Sequence, residues 1–310
     1  MAGAAGGSFT ILRRRFARIS DQPPGGAQDG ELAPLVLASA WEDNNQYDRR
    51  IVSHLAAAEY ADIQLLLAKW RQVPDAPVRL TLGAWEFISP LDAWELLHPF
   101  LCSTQMARFE QAAAEVLTED NPALELPAEE RYMASVKGKK WKFSSTLRRG
   151  IAEMLALGAT REEQSCIGTE LRFAARAQSL IQEIIPKNCS WTRWASLDTV
   201  LPLLMEAAPD ALLDRIEQDI ASEQPQLVEL MRQEIPGGLV GAAYHCGVLW
   251  ALETATWPKE RFHRIALCLA RLNRLDPGGK WGNNWHTIPG TDADGAVSAE
   301  ALKEWVRTAR

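Results

Sequence analysis

The sequence predicts a mainly α-helical protein, with a small winged-helix-like domain followed by an irregular HEAT-like helical array. Three observations predict it. Apolar residues recur at three- and four-residue spacing along most of the chain, the period of a helix with one buried face. One short stretch, from Val78 to Ile88, instead alternates apolar and polar residues around a glycine, as a hairpin does. Prolines such as Pro74, Pro186 and Pro209 cut the helical pattern into pieces of ordinary length.

In chain order, residues 1–31 read as a basic segment and linker. Ile11, Leu12, Phe16 and Ile19 make at most two helical turns before a Pro- and Gly-rich break. Residues 32–100 read as the winged-helix-like domain. Leu35, Val36 and Leu37 form a short apolar run. Asp48 is the expected N-cap of a helix carrying Ile51, Val52 and Leu55. A second helix carries Tyr60, Ile63, Leu66, Leu67 and Trp70. Val78, Leu80 and Leu82 form one strand, Gly83 turns, and Trp85, Phe87 and Ile88 form the other. Ser89-Pro90-Leu91-Asp92 opens the next helix, with Ser as cap and Pro in the first turn.

Residues 101–286 read as a helical-repeat domain. Successive apolar faces are Met106, Phe109, Ala113 and Val116; Leu147, Ile151, Met154 and Leu155; and a long set from Ile167 to Ile184. Leu197 to Leu204, Leu212 to Ile220, Leu227 to Met231 and Val248 to Leu252 follow. The strongest set is Phe262, Ile265, Ala266, Leu269 and Leu272, preceded by Thr256 as cap. Short connections favour antiparallel helical hairpins without a strict repeat. Residues 287–310 read as a divergent tail with a terminal helix after Ser298.

Composition narrows the function classes. The chain has 310 residues, 47% hydrophobic and 24% charged, enough apolar material for a large core. Its net charge of -7 lacks the broad positive face that a general nucleic-acid binder needs. Twelve Trp against four Tyr is unusual, and Trp anchors cores or interfaces. The five cysteines, Cys102, Cys166, Cys189, Cys246 and Cys268, are odd in number and widely spaced, so buried reduced thiols are expected. His245-Cys246 is the one adjacent pair of soft ligands, and neighbouring residues point apart. Arg13, Arg14, Arg15 and Phe16 mimic an export signal, but Asp21, Pro23 and Pro24 follow where an apolar stretch is needed; a transit peptide is the weaker alternative. With no run of 18 apolar residues, no membrane span is expected. The expected location is the cytoplasm.

Catalytic signatures are scarce. Nothing matches a P-loop, a Gly-x-Ser-x-Gly elbow or His-Glu-x-x-His. No cofactor or metal is expected. Pro236-Gly237-Gly238 and Pro277-Gly278-Gly279 read as turns, and His263 as a histidine packed on an apolar helix. The sharpest basic patch is Lys137, Lys139, Lys140, Trp141 and Lys142, where cations interleaved with Trp could grip a backbone and stack a base. A solvated loop with Trp141 tucked beneath it is the favoured reading. The second helix of the winged-helix-like domain offers Glu59, Asp62 and Gln64, with Lys69 and Arg71 only at its end. Base edges and phosphates call for more cations, so this face favours protein.

Three stretches carry a family resemblance: Asp92-Ala93-Trp94-Glu95-Leu96-Leu97, residues 201–209, and the run Leu249 to Thr254, Arg264 to Leu267 and Asp276 to Trp281. Together they resemble the region C-terminal to the ATPase module of large bacterial STAND-like NTPases, a group associated with antiviral defence. The resemblance covers roughly residues 8–286. It implies a winged helix and a helical-repeat sensor downstream of an ATPase core. That core has no counterpart here, so no nucleotide-binding residue carries over, and the pattern is lost after His286. The expectation is a non-catalytic interaction or sensor segment, a fragment or stand-alone derivative, binding a protein ligand. A DNA-binding winged-helix regulator is the alternative, and a helical-repeat enzyme acting on nucleic acid ranks below both.

Overall fold

A computed structural model of the chain describes residues 30–73, 76–161, 173–235, 242–256 and 258–277. The described chain is mainly helical and divides into two compact units: the described residues up to Thr118 with those of 141–180 and Glu206–Ala208, and Glu119–Lys140 with Ile181–Met205 and the described residues from Pro209 onward.

The first unit begins with a short helix, α1 (Ala33–Val36), and a strand, β1 (Ala40–Glu42). Helix α2 (Gln46–Ala56) follows, capped by Asn45, whose side chain accepts from the N–H of Tyr47 and Asp48. The cap is therefore three residues earlier than Asp48, the residue the sequence pattern favours. Helix α3 (Tyr60–Arg71) buries Ile63, Leu67 and Trp70. Strands β2 (Val78–Thr81) and β3 (Ala84–Phe87) form the hairpin. Its two-residue turn, Leu82–Gly83, has both residues at positive φ, 52° and 87°. The sheet order is β1-β3-β2, all antiparallel, with Trp41 opposite Trp85. Helix α4 (Pro90–Leu97) starts as expected: Ser89 accepts from the Asp92 N–H, and its hydroxyl donates to the Asp92 carboxylate at 2.8 Å.

This unit does not end at residue 100. Helix α5 (Ser103–Leu117) packs against α2, and α6 (Ser145–Thr160) packs against β1, α4 and α5. All four predicted core residues of each helix are buried: Met106, Phe109, Ala113 and Val116 in α5, Leu147, Ile151, Met154 and Leu155 in α6. Each large apolar side chain buried here contributes about 1.5–3 kcal/mol. Gly150 explains the close approach of α6 to β1: a Cβ there would lie 2.2 Å from the Ala38 carbonyl oxygen. Helix α7 (Phe173–Ile184) begins with Phe173, whose ring meets Trp94 edge-on at 5.3 Å.

The second unit is built from short helices: α8 (Trp191–Ser196), α9 (Leu201–Ala207, up to Met205), α10 (Pro209–Ile220) and α11 (Gln226–Arg232). A two-residue pairing of β4 (Glu234–Ile235) with β5 (Ala242–Ala243) precedes α12 (Cys246–Thr254) and α13 (Lys259–Leu275). Helix α11 packs on both α8 and α10, and α10 packs on α13. Two of these three pairs therefore join helices that are not neighbours in the chain. Helix α13 buries Ile265, Cys268 and Leu272. His263 sits on the opposite face and is exposed, correcting the packed-histidine reading: the buried stripe is narrower than the apolar pattern. Beside the stripe, Arg264 makes two bonds to Glu217 at 2.9 and 2.8 Å and one to Asp214 at 2.6 Å, and Arg261 pairs with Asp210. The tail 287–310 and the Pro236 glycine pair lie outside the described residues.

Candidate functional site

The predicted basic patch is divided: Lys137, Lys139 and Lys140 belong to the second unit, Trp141 and Lys142 to the first. In the second unit Lys137 pairs with Glu130 and Lys139 with Glu125, while Lys140 is exposed. Two of the three cations there are thus spent on acids of the preceding turns. In the first unit Trp141 is half-buried, and the Arg148 guanidinium lies 4.1 Å over its ring. Arg148 also donates to the Val116 carbonyl at 2.7 Å, so one ring face is committed to the fold rather than open to a base.

The first unit carries a different surface, made by α3 and the tip of the hairpin. Outward from α3 point Ala61, Asp62, Gln64, Leu65, Ala68 and Lys69. Leu65 is 71% exposed and Leu82, at the hairpin tip, is fully exposed at 104%. Leucine at φ 52° is strained by about 1–2 kcal/mol, because its Cβ crowds the following carbonyl. The cations of this face are largely neutralised: Arg79 pairs with Glu86 at 2.7 Å and Lys69 with Glu31 at 3.5 Å.

One acid fastens this face together. Oδ1 of Asp43 accepts from the Tyr60 hydroxyl at 2.6 Å, from Trp85 Nε1 at 3.2 Å and from Gln64 Nε2 at 3.4 Å. Tyr60 in turn accepts from Trp41 Nε1 at 3.0 Å. The Asp43 N–H donates to the Gly83 carbonyl at 2.8 Å, tying it to the hairpin turn. Burial alone would raise the Asp43 carboxyl, but these hydrogen bonds and the nearby Arg49 charge together hold it below the usual carboxylate value. Burial, followed by the bond to Asp43, pushes the Tyr60 phenol up, so it stays a donor. The start of α3 and the hairpin are thereby held rigidly to β1. Sequence reading missed this network because its members are spread from residue 41 to residue 85. Leu82 was legible in principle: the hairpin turn favoured with Gly second, type I′, puts the residue before it at positive φ as well.

Of the eight described Trp, Trp41, Trp70, Trp85, Trp94 and Trp194 are buried, and Trp141 and Trp191 are half-buried. Trp250 on α12 stands out at 58% exposed. Cys189 and Cys268 are buried free thiols and Cys246 is half-buried, but Cys102, just before α5, is exposed, contrary to the buried-thiol reading; Cys166 lies outside the described residues. Among the described residues, no group of three His, Cys, Asp or Glu could hold a metal ion. No single described helix is long and apolar enough to cross a membrane. Comparison with known protein families, with functionally curated proteins and with solved structures gives no match.

Proposed function

We propose that this chain is a non-catalytic protein-interaction segment, and that α3 with the hairpin tip is its docking face. The observation that carries this reading is the pair of protruding leucines, Leu65 and Leu82, where a DNA reader would present Arg, Lys, Asn or Gln. The element order α1-β1-α2-α3-β2-β3 and the sheet order β1-β3-β2 support a winged-helix reading of residues 32–100. In that reading α3 stands where a recognition helix would and the hairpin is the wing. An apolar tip held at a cost in backbone strain is a recurrent mark of a contact surface. Rigid fastening through Asp43 lowers the ordering cost of docking. The helices that follow would form the ligand-binding array, and Trp250 is its candidate anchor. With the resemblance noted above, the protein would act as a relay or sensor in bacterial multidomain signalling of the STAND type, an ATPase core being supplied from elsewhere.

A mobility-shift titration with random duplex DNA tests the choice of partner class. Protein docking predicts no shift at 50 mM salt beyond weak, uniform retention. A discrete, strongly salt-dependent complex that Arg71→Glu abolishes would install the DNA-binding regulator instead.

A further inference from the structure

In the second unit the turn Pro186–Cys189, the helix α8 and one side of α10 border a small, partly open cavity of about 10 Å³. Asn188, Cys189, Trp194, Arg215 and Asp219 are among its walls. Two of these side chains carry a buried N–H with no protein acceptor: Trp194 Nε1 and Arg215 Nε. Trp194 is only 1% exposed, so its indole N–H has no access to bulk solvent. A buried donor left unpaired costs about 1–3 kcal/mol, and two beside one cavity point to a common acceptor inside it.

The wall also carries an acceptor. Asp219 takes the Gln226 N–H on Oδ1 at 3.1 Å and the Leu227 N–H on Oδ2 at 2.9 Å, capping α11. Each oxygen retains a second lone pair. A space of about 10 Å³ suits one water-sized molecule. We propose that this cavity is a binding site for a single water molecule, which accepts from Trp194 and Arg215 and donates to Asp219. A halide could take the same two N–H bonds, but it would lie against the Asp219 carboxylate and could donate nothing to it. Water satisfies both kinds of wall. Burial pushes the Cys189 thiol up to about 12, so it lines the cavity as a neutral group. The bound molecule links α8 to α10 and, through Asp219, to the start of α11.

Water-to-indole magnetisation transfer on the full-length, ¹⁵N-labelled protein tests the site. The Trp194 Nε1–H resonance is assigned by its loss in Trp194→Phe or, should that variant not fold, by its displacement in Arg215→Lys. The expected result is a cross-peak to a long-lived water, unchanged between chloride and nitrate buffers. Absence of that cross-peak overturns the proposal. So does an indole resonance that titrates with chloride, which assigns the site to a halide.

Discussion

The carboxylate of Asp48, on α2, accepts hydrogen bonds from both the backbone N–H and the hydroxyl of Ser144, 96 residues further along the chain. The same carboxylate takes the Glu42 N–H at 3.0 Å, and the Ser144 hydroxyl oxygen takes the Leu147 N–H at 3.0 Å. Ser144 is thus the N-cap of α6 and its anchor to α2. Ser144→Ala removes a cap and leaves a buried carboxylate short of a donor. The expected loss is about 2 kcal/mol in urea unfolding. A loss below about 0.5 kcal/mol, the range of ordinary surface changes, would show that the bond is not formed in solution.

Asp48 also sets a pH dependence. Burial raises its carboxyl above the ordinary 3.8, even against three hydrogen bonds. Its folded value lies above its unfolded one, so its contribution to stability is fully present below the unfolded value. That contribution is lost as pH rises through the folded value. The stability of the native protein minus that of Asp48→Asn should therefore fall as pH climbs from about 3 towards neutrality. A difference that grows with pH contradicts the raised value.

Two glycines mark backbone contacts with no room for a methyl group. A Cβ at Gly150 would meet the Ala38 carbonyl oxygen at 2.2 Å, and one at Gly247 would meet that of Asp198 at 2.1 Å. Alanine is the better helix former by about 1 kcal/mol, so propensity alone predicts that Gly→Ala stabilises both helices. The contacts predict the opposite sign: Gly150→Ala and Gly247→Ala each lower stability by about 2 kcal/mol or more. Calorimetry on the two variants reports on the two units separately.

The hairpin turn yields a prediction that joins stability to function. Asparagine tolerates positive φ, and Asn-Gly is the favoured two-residue turn. Leu82→Asn should therefore raise the unfolding free energy by about 1 kcal/mol, while weakening capture of the docking partner. A variant that is stabilised with partner capture intact would remove Leu82 from the docking face.

These cases show where sequence reading succeeds and fails. Helix α3, the hairpin and the start of α4 were legible because period, turn and cap signals are local. Strand β1 was not: three residues, Ala40-Trp41-Glu42, are too few to display alternation, and its pairing is decided by Trp41 meeting Trp85 on a distant strand. Asp48 looked like a cap because it precedes an apolar helix, yet its carboxylate is spent on Ser144 and the cap falls to Asn45. The basic patch was visible as composition, but not the acids, Glu125 and Glu130, that neutralise two of its lysines. Leu82 reads as a strand residue in line with Val78 and Leu80, because apolar alternation does not say which apolar residue is left outside.

The claim that α3 and the hairpin tip form a protein-docking face is tested most directly by site-specific photo-crosslinking in cells that express the chain natively. A photoreactive residue is placed at position 65 or 82, with exposed Glu223 in the second unit as the control position. The account predicts a nuclease-resistant, protein-sized adduct of one defined mass from both positions and none from 223. Adducts that nuclease removes, or identical adducts from all three positions, would contradict it.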